Sequence, residues 1–306
     1  MAVAEAPLPP SPVPSPPDAP TIGAGQRIGT AVIVGLPFVG VVWAMVHFWG
    51  TGLHLRDFLV FLGFYLIVGH GVTVGFHRLF THRSFVAARP LKIALAAAGS
   101  MAFEGGLIGW VGNHRRHHVY SDQPGDPHSP VNHHGTLRGL WHAHVGWLFS
   151  AQPDDEHRTR DLKSDPDLRW IDRAFPLLCV VSLGLPFLFG WVLSGWSLSG
   201  ALTALLWGGL VRICLLHHVT WSINSLCHTF GRRPHETSDR SADLGLLSIL
   251  SMGESWHNSH HASPRSARHG RARGQRDSSA ALIGAFERLG LATKVCVARE
   301  NERAAA

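Results

Sequence analysis

The sequence predicts an all-α integral membrane protein: four transmembrane helices in two hairpins, with a cytosolic helical cap holding a histidine-ligated dimetal site. Three observations predict it. No Asp, Glu, Lys or Arg occurs in 28–55 or in 174–211. Charged residues make up 16% of the 306-residue chain, against roughly 25% in soluble domains. Eight of the 22 histidines fall in three clusters, each at the edge of an apolar stretch.

Residues 1–26 form a Pro-rich N-terminal tail, with eight prolines in the first twenty positions. Such a segment is expected to be disordered or locally polyproline II. It lacks the basic start and apolar core of a cleaved leader. The first span is expected near 28–49, long enough to cross a bilayer core of about 30 Å. A short connection with His54, Arg56 and Asp57 leads to a second span near 58–76, which ends at His77.

The apolar stretch 93–111 contains Glu104 and four glycines. A crossing there would put His77 and His82 on the opposite membrane face from His114, His117 and His118. The stretch is therefore expected to be interfacial or re-entrant. Residues 112–173 are polar and water-exposed. The 38 charge-free residues of 174–211 are too many for one crossing. They split into spans near 176–194 and 199–219, with Arg212 expected to snorkel from the end of the second. A helix continuing outward would carry Asn224 and His228 one turn apart. A short amphipathic helix is expected over 242–256. The tail 271–306 is basic, with a surface amphipathic helix over 280–292.

The long polar loop and the C-terminal tail are Arg-rich, whereas the two short connections together hold one Arg. The positive-inside rule then places both termini and every histidine cluster in the cytoplasm. The net charge of +6 follows from that topology and from anionic headgroups, and no nucleic-acid-binding module is present. The four cysteines form no CxxC pair, which argues against a disulfide framework and a cysteine zinc site.

The clusters read His77-x4-His82, His114-x2-His117-His118 and His257-x2-His260-His261. Positions i, i+3 and i+4 of a helix share a face, so each HxxHH triplet is expected to converge on one point. Neutral imidazole ligates iron, zinc and copper. Eight clustered histidines exceed the four-ligand shell of a structural zinc and suit two adjacent ions. His77 and His82 lie roughly 140° apart on an α-helix, which suits a helix end followed by a bend. His228 joins the set because the fourth span delivers it to the same membrane face, while His217 and His218 are expected not to be ligands.

From about Tyr65 to Gly270 the chain resembles the membrane-bound acyl-CoA desaturases of the delta-9 (stearoyl-CoA desaturase) family. The resemblance is carried by Gly75-Phe-His77-Arg-Leu-Phe-Thr-His82-Arg-Ser-Phe85, by Trp110 ahead of His114-Arg-Arg-His117-His118, and by Asp126-Pro-His128. It continues in His144-Val-Gly-Trp147, Thr220-Trp221-Ser-Ile-Asn224, His228 and Gly253-Glu-Ser-Trp-His257-Asn-Ser-His260-His261.

The resemblance implies a desaturase domain over 27–270 that uses two Fe2+ ions and O2. It would introduce a cis double bond, at delta-9, into a saturated C16–C18 acyl thioester, with acyl-CoA as the carrier. It implies nine ligating histidines: His77, His82, His114, His117, His118, His228, His257, His260 and His261. Asn224 would reach one metal through water. Trp110, Thr220 and Trp221 match residues lining the bend of the substrate tunnel, and Tyr65, with Gly69 one turn later, matches its closed far end. Two departures stand out. Gly112-Asn113 replaces the Arg-Asp pair that contacts the CoA head group, and no haem domain is fused, so a ferredoxin, flavodoxin or cytochrome b5 type donor with its reductase is implied.

A histidine-box hydroxylase, a metal transporter and a dihaem membrane cytochrome are rival readings. The first predicts a hydroxylated product, the second ionisable residues deep in the spans, and the third histidine pairs within the bilayer.

Overall fold

The computed structural model describes residues 22–48, 53–132, 135–151 and 156–298. Of the expected tail 1–26, residues 1–21 lie outside the described residues, and the first helix already begins at Ala24. Among them, four helices are long and apolar enough to cross a membrane: Ala24–Phe48, Leu55–Thr81, Phe175–Leu193 and Leu198–Ser225. They match the four expected spans. The second and fourth, of 27 and 28 residues, run past their apolar stretches and reach about 40 Å at 1.5 Å per residue.

The first helix, α1 (Ala24–Phe48), and a later one, α8 (Phe175–Leu193), present apolar faces to the outside. Val46 is 72% and Val180 67% exposed. A soluble surface rarely leaves so continuous an apolar area uncovered, so these faces are read as lipid-facing. The second span is α2 (Leu55–His70) followed without a break by a π-helical segment, Gly71–Thr81, all of it buried. The fourth is α9 (Leu198–Ala204), a π segment Leu205–Val211, and α10 (Arg212–Ser225).

Residues 93–111 do not form one helix. They split between α3 (Arg89–Ser100) and α4 (Leu107–Tyr120), each too short to span. Helix α3 lies against the π segment so closely that a Cβ on Gly71 would stand 2.2 Å from the Gly99 backbone nitrogen. Only glycine permits that approach.

The cap is built from α4, α5 (Thr136–His144), α6 (Arg160–Ser164), α7 (Pro166–Arg173), α11 (His257–Ala262) and α12 (Ser278–Arg288). Phe76, Leu79 and Phe80 of the π segment share its core with Leu107, Ile171 and Ile283. The two-residue strands β1 (Val86–Ala87) and β2 (Ala292–Thr293) pair antiparallel. Arg115 of α4 clamps the layers together. It donates to the carbonyls of Phe80 (2.6 Å) and Thr81 (3.3 Å) and pairs with Asp161 at 2.8 Å.

Three expectations are corrected. Arg212 does not snorkel: it is fully buried and donates to Gly208 O, Met101 O and Ser182 Oγ at 2.7–3.2 Å. Those interior acceptors satisfy its guanidinium in place of headgroups or water. Residues 242–256 are not an amphipathic helix. Gly245–Leu247 makes one 3-10 turn, and positive φ at Met252 (56°) and Gly253 (99°) breaks helical propagation. Helix α12 is not purely a surface element, since Ile283 is buried in the core of the cap.

Candidate metal centre

All nine predicted histidines come together, in two abutting sets. His77, His82, His114, His118 and His260 place ligand nitrogens within 4.8 Å of one another, and so do His117, His228, His257 and His261. The sets meet where the His118 and His261 rings lie 4.5 Å apart.

Local backbone geometry decides the partition. His77 and His82 are five apart, and the π-helix brings i and i+5 onto one face. His82 N bonds to His77 O at 3.1 Å, and the two rings lie 4.8 Å apart. A continuous π turn thus replaces the expected bend. Nor does each HxxHH triplet converge on one point. His114 and His118, at i and i+4, enter the first set while His117 enters the second. His257 and His261 enter the second set while His260 enters the first. On each helix the i+3 side chain stands about 100° from the i+4 side chain, enough to face the neighbouring set.

Within the first set, His260 Nε2 lies 3.1 Å from His77 Nε2 and 3.0 Å from His118 Nε2, and His118 Nε2 lies 3.2 Å from His114 Nε2. In the second, His228 Nε2 and His257 Nε2 are 3.0 Å apart. Cis nitrogens on an octahedral ion with bonds of about 2.1 Å lie about 3.0 Å apart. The Nε2 atoms of His82, His117 and His261 are buried without any protein partner. Both observations fit a pair of metal ions. Burial first, and neighbouring imidazoles second, hold His82, His114, His118, His257 and His260 well below the usual histidine range. They are therefore neutral, the form that ligates metals.

The outer nitrogens face carboxylates that sequence reasoning did not single out as functional. His117 Nδ1 lies 3.0 Å from both Asp126 oxygens, His228 Nδ1 lies 2.8 Å from Asp122, and His261 Nδ1 lies 2.5 Å from Asp239. His77 Nδ1 contacts a Glu254 oxygen, and Arg78 also holds that carboxylate at 2.8 Å. A carboxylate behind a ligating histidine fixes its tautomer and aims its other nitrogen inward. Burial alone would raise Asp126, but His117 and His128 pull it well below the usual carboxylate range. His117 itself is pulled down by burial, yet Asp126 outweighs this and raises it. The available sequence signal was position: Asp122 and Asp126 follow the second cluster closely, and Glu254 is three residues before His257.

A cavity of about 320 Å3 opens beside the two sets, lined by Trp110, Thr220, Trp221, Asn224, His77, His114 and His257 among others. Trp110 stacks on His114, with ring centroids 5.1 Å apart, and donates to Glu104 at 3.1 Å. Burial pushes the Glu104 carboxyl up to about 7, partly opposed by hydrogen bonds from Thr220 and Trp110. Tyr65 and Gly69 are not among the residues lining the cavity. The Tyr65 hydroxyl donates to Leu250 O at 2.8 Å, and Gly69 is covered by the Met252 side chain, which does line the cavity. His217 and His218 belong to neither set; they bond to Ala102 O and to His144.

The fatty acid desaturase family model matches residues 56–278. The hex-5-enoyl-[acyl-carrier protein] acetylenase of Moorena producens is 38% identical over 263 residues, covering 84% of this chain and 82% of that protein. The sn-1 stearoyl-lipid 9-desaturase of Anabaena variabilis is 38% identical over 242 residues, covering 78% and 83%. The acyl-CoA C20 Delta5-desaturase of Anemone leveillei is 35% identical over 269 residues, covering 86% and 81%. The chain belongs to the fatty acid desaturase family. It is a membrane protein and an oxidoreductase, with histidine clusters suited to a metal. The three relatives are named for three different acyl carriers.

Proposed function

We propose that the protein introduces a cis double bond, at delta-9, into a saturated C16–C18 acyl chain carried as a thioester. The balanced reaction takes the chain, O2, two electrons and two protons to the alkene and two waters. The observation that carries the reading is the pair of abutting imidazole sets, four of their rings backed by carboxylates, beside an apolar cavity.

The nine histidines are assigned as ligands of two iron ions, with Asn224 acting on one of them through water. When bound, the irons supply the reduction of O2 and an oxidant able to take hydrogen from an unactivated carbon. The chain's own residues do the rest. Asp122, Asp126, Asp239 and Glu254 hold the imidazoles in the tautomer that points Nε2 inward. Trp110, Thr220 and Trp221 form the wall that holds one carbon pair against the site, an argument of proximity. Tyr65, Gly69 and Met252 close the region behind that wall and are assigned to limit chain length.

CoA is the carrier assigned first. Gly112-Asn113 stands where the family resemblance implies an Arg-Asp pair contacting the CoA head group, and Asn113 lies at the cavity. A weak hold on the CoA head group follows. Electrons come from a separate ferredoxin, flavodoxin or cytochrome b5 type protein with its reductase. The site and both ends of the chain are placed on the cytoplasmic side, with 271–306 as a basic segment facing anionic lipid.

Fatty-acid profiling of cells with and without the protein tests the reading, with the new double bond located by mass spectrometry. A delta-9 alkene is expected, and His117→Ala should abolish it. A hydroxylated chain without an alkene sinks the reading, and an unchanged product in His117→Ala sinks the site assignment. Supplying stearoyl groups on CoA, on acyl carrier protein or in glycerolipid to purified membranes assigns the carrier.

A further inference from the structure

A tenth histidine lies against the first set. His269 falls outside the three sequence clusters, eight residues after His261, in the connection between α11 and α12. It is fully buried, and neither ring nitrogen has a hydrogen-bond partner. Its ring centroid is 4.4 Å from that of His260 and 5.4 Å from that of His77. Its Nδ1 is 3.8 Å from Glu254 Oε1. His269, Glu254 and His77 bring ligand atoms within 4.8 Å of one another.

The position of His269 is built, not incidental. Asp277 accepts from the backbone nitrogens of His269 (2.8 Å) and Gly270 (3.2 Å) and pairs with Arg78 at 3.1 Å. Arg78 in turn pairs with Glu254 at 2.8 Å. One network therefore fixes His269, Glu254 and the π segment that carries His77.

Four of the nine histidines have a carboxylate behind Nδ1, but His260 does not. Its Nε2 faces His77 and His118, and its Nδ1 is buried without a partner. A neutral imidazole that ligates through Nε2 carries its proton on Nδ1 and must donate it. His269 is the nearest ring to His260 with an unpaired nitrogen outside both sets, and it has Glu254 on another side.

We propose that His269 is a positioning residue for the first metal set, bridging His260 to Glu254. With iron bound, His260 Nδ1–H would donate to His269 Nε2 and His269 Nδ1–H to Glu254 Oε1; in the structure these nitrogens make no hydrogen bond, and His269 Nδ1 stands 3.8 Å from Glu254 Oε1. Glu254 then supports two ligands of one set, His77 directly and His260 through His269. The inference rests on the reading of the site as an iron centre.

The test uses the full chain, purified in detergent and reconstituted with ferrous iron, as wild type, His269→Leu and His269→Gln. Glutamine can accept at its oxygen and donate at its nitrogen, so it can replace the bridge, but it is a poor substitute for an imidazole ligand. The readouts are iron affinity, the Mössbauer spectrum and X-ray absorption, with desaturation measured alongside. His269→Leu is expected to weaken iron binding about 10- to 100-fold and to shift one of the two iron signals. His269→Gln should restore both to within about threefold. Wild-type affinity and spectra in His269→Leu would overturn the proposal. So would failure of His269→Gln to rescue together with loss of one nitrogen from the iron shell, which would make His269 a ligand. If His269→Leu does not fold, the comparison of His269→Gln with wild type still decides. The spectra need no turnover, so a wild type that binds iron but makes no alkene overturns the desaturase reading and leaves this comparison standing.

Discussion

Asp126 accepts from His117 Nδ1 and also from the backbone nitrogens of Asp122 (2.8 Å) and His128 (3.1 Å). Both oxygens are in use, all towards N–H donors. Asp126→Asn keeps the shape but turns one acceptor into a donor aimed at a donor. Iron affinity and desaturation are each expected to fall about 10- to 100-fold, measured by iron titration and product yield, with Asp126→Glu retaining more of both. Glu104 makes a different prediction. Its folded-state value near 7 lies above the ordinary 4.5 because of burial. The folded protein therefore holds this proton more tightly than the unfolded chain does. The resulting stability is complete below about 4.5 and is lost as the pH rises through about 7. The loss should be on the order of 2 kcal/mol once partial exposure in the cavity is allowed for. Glu104→Gln carries no such charge. Thermal melts of the two proteins between pH 5 and 8 should differ in slope, the wild type losing stability relative to the variant as the pH rises. Parallel slopes would mean that Glu104 is already ionised in the fold.

The π segment Gly71–Thr81 explains why part of the site could be read from sequence and part could not. Histidine type and clustering are composition, and the apolar runs are periodicity-free stretches of adequate length, so both the histidines that come together and the spans were legible. The joining of His77 to His82 was not, because the 3.6-residue period puts them 140° apart and nothing in Gly71-Val-Thr-Val-Gly75 announces a wider turn. The division of each HxxHH triplet between two sets was hidden for a related reason. Shared helix faces are defined to within about 100°, and two metal sites a few ångströms apart divide such a face. The carboxylates Asp122, Asp239 and Glu254 come from segments well separated in sequence from the rings they meet, and His269 lies outside the three histidine clusters. At 242–256, Leu246, Ile249 and Leu250 mimic an amphipathic stripe, yet Leu246 is 88% exposed and the chain turns instead. The close approach of α3 to the π segment yields a further prediction. A methyl group on Gly71 would meet the backbone of Ala98 and Gly99 at 2.2–2.4 Å, and backbone cannot rotate away as a side chain can. Gly71→Ala should therefore cost about 3 kcal/mol or more and misplace His77. Its signature is a lowered melting temperature together with reduced iron uptake, whereas Gly63→Ala, with open space around it, should change neither.

At the scale of the whole molecule, the two long spans decide where the chemistry occurs. Leu55–Thr81 and Leu198–Ser225 exceed the roughly 20 residues a bilayer core needs, and the surplus of each lies at its C-terminal end. Both spans rise in the same direction, since each follows a short hairpin connection. Their overhangs therefore emerge on one face and carry His77, His82, Asn224 and, just beyond, His228 to a common depth. Helices α3 and α4, too short to cross, keep His114, His117 and His118 on that face, and α11 adds the last three. On the topology proposed above, the Arg content of 112–173 and 262–276 makes this the cytoplasmic face. In a variant with its four cysteines replaced, single cysteines at Leu53 and Trp196 would sit on the two short connections, and one at Arg273 on the cap side; all three positions are exposed. An impermeant thiol reagent added to intact cells should label the first two and spare the third, and inside-out vesicles should reverse the pattern. Labelling of Arg273→Cys in intact cells would invert the topology. Labelling that split Leu53→Cys from Trp196→Cys would contradict the paired hairpins, because two overhangs on opposite faces could not build one site.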